Sequence, residues 1–130
     1  MARLAQFRPQ ERSAHTTSQG HPRAAFRRAI ERSNLVSAEL EAREAGRLDL
    51  GEALELTALV ALRDRPRSRR LAGRWLQRWL EERPAPLIDE AVMVAGALAA
   101  LGGPLHAEAL AALRQLQAPE APGRSLAPFG

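Results

Sequence analysis

From Ala91 to Leu105 the chain runs for fifteen residues without a single charge (AVMVAGALAALGGPL). Something must cover such a stretch, because apolar surface left in water costs roughly 25 cal/mol per Å². Lipid is not the cover. A bilayer crossing needs about 20 apolar residues, and Gly102-Gly103-Pro104 interrupts this run. The expectation is therefore a helix from about Ile88 to Leu101 enclosed by protein on nearly every side. Asp89 and Glu90 stand in its first turn, where the helix dipole favours negative charge. Ala91, Ala95, Gly96 and Ala99 would let a neighbouring backbone approach closely. A chain of 130 residues has enough length for one packed core and little more. A face that a domain of about 95 ordered residues left uncovered would favour dimerisation or partner docking.

Four more helical segments are legible. Between Arg23 and Ala45, Phe26, Ala29, Ile30, Ser33, Ser37 and Leu40 recur at helical spacing. Ser33-Asn34 is the weak spot of that run, since both side chains compete for backbone hydrogen bonds, and Gly46 ends it. Asp49 and Glu52 have capping-box spacing at the start of a helix to about Arg63. That helix is apolar over most of its circumference and is expected to be the most enclosed. Asp64-Arg65-Pro66 opens the next, with Asp64 as cap and the proline in the first turn; Leu71, Ala72, Trp75, Leu76, Trp79 and Leu80 form its apolar face. The last, Leu105 to Gln117, is amphipathic, with Leu105, Ala109, Ala112, Leu113 and Leu116 inward.

The pattern predicts an all-α fold of one domain over residues 23–117, about five helices stacked as αα-hairpins, a short helical-repeat-like bundle. Residues 1–22 are polar and arginine-bearing and are expected to form a disordered basic arm; 118–130, rich in proline and glycine, a disordered tail. An internal echo at offsets of 37 or 38 (Glu52-Ala53 and Glu90-Ala91, Pro66 and Pro104, Leu76 and Leu113) supports paired helices.

Charge is distributed in blocks. All nineteen basic residues are arginine, and the net charge is +4. Residues 1–33 carry +5, 34–62 carry −4, 63–83 carry +5 and 84–130 carry −2. Arginine without lysine, among abundant alanine, glycine and proline, is what G+C-rich codons specify, so base composition accounts for it and a bacterial source is expected. With neither a membrane span nor a secretory signal in view, the expected location is the cytoplasm.

Candidate chemistry is sparse. No cysteine is present, so disulfides, thiol nucleophiles and thiolate metal sites are excluded. His15, His21 and His106 share no ligand spacing, and no metal or other cofactor is expected. No phosphate loop, nucleophile elbow or paired catalytic carboxylate is found, so no enzymatic activity is expected. The best candidate is a row of arginines, Arg67, Arg70, Arg74 and Arg78, on one face of the third helix. Such a row can follow phosphates or an acidic partner, and Trp75 and Trp79 beside it could stack on bases. The reading favoured here makes both tryptophans core and lets the arginines pair with Glu39, Glu41, Glu44, Glu52 and Glu55. The expected function is a non-catalytic interaction or scaffold module. It binds another protein or itself, as a homodimer through the helix around Ala91–Leu101; the alternative is a nucleic-acid-binding protein using the arginine-lined helix.

Overall fold

Local sequence signals decide where each helix starts and stops. The computed structural model describes residues 20–83 and 85–118. Among these there are six helices and no strand: α1 Gly20–Glu31, α2 Leu35–Ala45, α3 Leu50–Arg63, α4 Arg65–Glu82, α5 Ile88–Ala100 and α6 His106–Gln117. The all-α expectation holds, with one helix more than anticipated. Of the arm expected over 1–22, residues 1–19 lie outside the described residues, while Gly20, His21 and Pro22 belong to α1. Of the tail expected over 118–130, residues 119–130 lie outside them as well. The described chain falls into two compact units that divide between Leu48 and Asp49, where the sequence reading took a single domain.

The extra helix arises at Ser33-Asn34. Ser33 takes a left-handed backbone (φ 55°), and the chain folds back with Ser33 N–H on the Ile30 carbonyl and Asn34 N–H on the Ala29 carbonyl. Asn34 then caps α2, its side-chain oxygen accepting from Ser37 N–H at 3.1 Å. The break resets the helical phase. Phe26 and Ala29 are buried as expected, but beyond the break Ala38 is the buried residue and Leu40 faces solvent. α1 and α2 pair as a hairpin, and the Arg23 guanidinium donates to the Arg47 carbonyl at 2.9 Å. Gly46 ends α2 at φ 83°, a conformation that favours glycine.

In the second unit each helix touches the next, and α6 returns to α3, so α3–α6 close into a small four-helix bundle. Its core is Leu54, Ala58 and Ala61 of α3, Trp75 and Trp79 of α4, Val94 and Leu98 of α5 with Leu101 just beyond it, and Ala109 and Leu113 of α6. The Asp49–Glu52 capping box forms as read: Asp49 Oδ1 accepts from Glu52 N–H at 2.7 Å, and Glu52 Oε1 accepts from Asp49 N–H at 2.9 Å. Glu90, its counterpart in the echo, also reaches back, accepting from Leu87 N–H at 3.3 Å. The expected Asp64 cap is not made; its carboxylate turns to Arg67 instead, at 3.4 Å. At the end of the bundle, Arg114 binds Glu55 through two hydrogen bonds of 2.7 and 2.8 Å. That bond raises the guanidinium's pKa above its ordinary value.

Enclosure differs sharply between the two apolar helices. α3 buries Glu52, Leu54, Thr57, Ala58, Leu59, Val60 and Ala61, as expected of the most enclosed helix. α5 was expected to be covered too, and it is not. Only Val94 and Leu98 are buried within it. Ile88, Val92 and Met93 are 83%, 64% and 58% exposed. Both helices pack chiefly against α4 and α6, but α5 meets α4 more loosely than α3 does.

Candidate functional site

Spacing creates the surface that α5 presents. Ile88, Val92, Ala95 and Ala99 step by four, three and four residues, so they stack on one side of the helix, and Met93 and Gly96 lie beside them. Val92, Met93, Ala95, Gly96 and Ala99 are all exposed. On α4 the facing row is Arg69, Ala72, Gly73, Leu76 and Leu80. Between the two helices runs a groove of about 790 Å³ lined by Ala72, Gly73, Leu76, Ala95, Leu98 and Ala99, with Arg65, Ser68 and Arg69 at one end beside Gly102 and Gly103. An added Cβ at Gly73 or Gly96 would meet nothing within 4 Å, whereas one at Gly102 would lie 3.5 Å from Arg65 Nε.

The two ends of this face differ in charge. At the Gly102 end stand Arg65 and Arg69, neither of which has an ion-pair partner among the described residues. The first turn of α4 contains no acidic residue, so these guanidinium groups crowd the positive end of its dipole. At the other end Arg83 bridges to Glu90 at 2.9 Å and lies over the Trp79 ring, 5.3 Å from its centroid. The Leu87 N–H and then Arg83 hold the Glu90 carboxyl below the ordinary glutamate range. Asp89 has no cationic partner among the described residues.

The four arginines singled out by sequence share a face of α4 but not a common environment. Arg67 pairs with Asp64 and Arg78 with Glu82 at 2.5 Å. Arg70 and Arg74 are exposed without an ion pair. Glu52 and Glu55, two of their expected partners, are engaged in the α3 cap and with Arg114. Trp75 and Trp79 are core, 3% and 1% exposed. Trp75 donates its indole N–H to the Leu50 carbonyl at 3.0 Å, so neither ring presents a stacking surface.

Arg65 and Arg69, which line the groove, were missed by sequence reasoning; their i,i+4 spacing in register with Ala72, Leu76 and Leu80 was the available signal. His15 lies outside the described residues, and His21 belongs to α1. His106 Nδ1–H donates to the Leu101 carbonyl at 2.6 Å, a turn-fixing role. Among the described residues no group of three or more His, Asp or Glu could hold a metal ion, and no helix is long and apolar enough to cross a membrane. No family model, curated protein or solved structure matches this chain.

Proposed function

We propose that this chain is a non-catalytic interaction module that binds protein through the α4–α5 face. One observation carries the reading: Ile88, Val92 and Met93 stand exposed on the same helix as the groove-lining Ala95 and Ala99. A contiguous apolar surface of this kind marks an association site more often than idle surface. The reading is tested by a photo-reactive amino acid at Val92, with Gln115 on the exposed side of α6 as control, irradiated in the cells that make the protein. A discrete adduct from Val92 and none from Gln115 is the expected result. No adduct from either position overturns the reading.

A second reading has its own support, since Arg70 and Arg74 are exposed without carboxylate partners. A basic surface like this can bind nucleic acid nonspecifically, at roughly micromolar to 100 micromolar affinity in physiological salt. The core placement of both tryptophans removes the stacking component, leaving phosphate contacts alone. Fluorescence anisotropy with DNA and RNA in low salt tests it. Binding that the paired Arg70→Glu and Arg74→Glu changes abolish would support it, and no binding would end it.

A further inference from the structure

This inference rests on the reading of the α4–α5 face as a protein-binding surface and names what binds there. We infer that the occupant is a second copy of the chain, its α5 crossing the first antiparallel about Gly96.

Charge complementarity selects that partner. One end of the face carries Arg65 and Arg69, the other Asp89, and none of the three has an ion-pair partner among the described residues. Gly96 lies midway in the sequence between Asp89 and Gly103, seven residues from each. A two-fold axis through Gly96 carries the acidic end of one copy onto the basic end of the other, twice over. This is the self-complementarity a two-fold interface requires, in which each patch meets its own image. Turning the second helix parallel would instead stack arginine on arginine and carboxylate on carboxylate.

The middle of the face suits the same arrangement. Gly96 lies inside an exposed helix, where glycine is about 1 kcal/mol less favourable than alanine, yet none of the described residues fills the space a Cβ would take. With Ala95 and Ala99 beside it, this is the point where a second backbone approaches closest. Ile88, Val92 and Met93 then flank the crossing and lose their water. The basic start of α4, set against its own dipole, receives the partner's Asp89.

Light scattering on the full chain at roughly 100 µM, a concentration that populates micromolar complexes, tests the inference by charge exchange. One variant carries Arg65→Glu and Arg69→Glu, so both ends of its face are acidic. The other carries Asp89→Arg, so both are basic. The wild type is expected at twice the 14.2 kDa chain mass and each variant alone at the single mass. An equimolar mixture of the variants is expected to return to the double mass. All three positions are exposed, and unchanged helical circular dichroism confirms that the variants fold. A monomeric wild type, or variants that dimerise as well alone as mixed, overturns the inference. If the wild type is monomeric while Val92 still crosslinks to a different protein in cells, the second copy is wrong and the interaction module stands. If Val92 yields no adduct either, both fail.

Discussion

α3 and α5 are both short, apolar helices, yet one is enclosed and the other is open. α3 hides seven of its residues from solvent. α5 hides Val94 and Leu98 and leaves Ile88, Val92 and Met93 exposed. The difference teaches that hydrophobicity states a requirement for cover without naming its source. α3 pairs tightly with α4, whose Trp75 and Trp79 share its core cluster. α5 shows one edge to that core and keeps a second apolar edge, which the chain's own bundle leaves bare.

The contrast can be broken most directly by truncating one side chain from each helix. Leu54→Ala, at a fully buried site on α3, is expected to cost about 2–5 kcal/mol in urea unfolding. Val92→Ala on α5, at a concentration where the chain is dissociated, is expected to change stability by less than about 0.5 kcal/mol. Equal costs would mean that α5 is covered within its own chain. A smaller effect sharpens the comparison. Gly96→Ala has free space for its Cβ and is expected to stabilise the dissociated chain by about 0.8–1 kcal/mol in thermal melts; destabilisation would place a neighbour there.

The smallest effect concerns the start of α5. Glu90 has its pKa lowered by the Leu87 N–H and by Arg83, so its folded pKa lies below its unfolded one. Its contribution is therefore present above the ordinary glutamate range and is lost as pH falls through the lowered value. Melts of Glu90→Gln across that acidic range are expected to show a shallower loss of stability than the wild type. An identical slope would remove this role for Glu90.

Much of the fold was legible because its punctuation is local. Asn34, Gly46, Asp49 with Glu52, and Pro66 each act within a few residues, and all four mark helix ends at or beside the positions read. The burial of Trp75 and Trp79 followed from their spacing with Leu76 and the wider apolar face. The candidate site was only half legible. The 88–92–95–99 stripe is visible in the sequence, but whether another helix of the same chain covers it depends on how the bundle closes, a non-local matter. Arginine partners were illegible for a related reason. Glu52 and Glu55 had nearer or better-placed partners in Asp49 N–H and Arg114, leaving Arg70 and Arg74 in solvent.

The central claim is that the open edge of α5 meets its own image. The chain contains no cysteine, so Gly96→Cys introduces a single thiol at the proposed crossing, and a disulfide forms only between Cα atoms within about 7 Å. Under mild oxidation Gly96→Cys is expected to become a covalent dimer far faster than Ala111→Cys on the exposed side of α6. A mixture of Asp89→Cys and Gly103→Cys chains is expected to crosslink to each other in preference to themselves. Equal, slow oxidation at positions 96 and 111 would contradict the account.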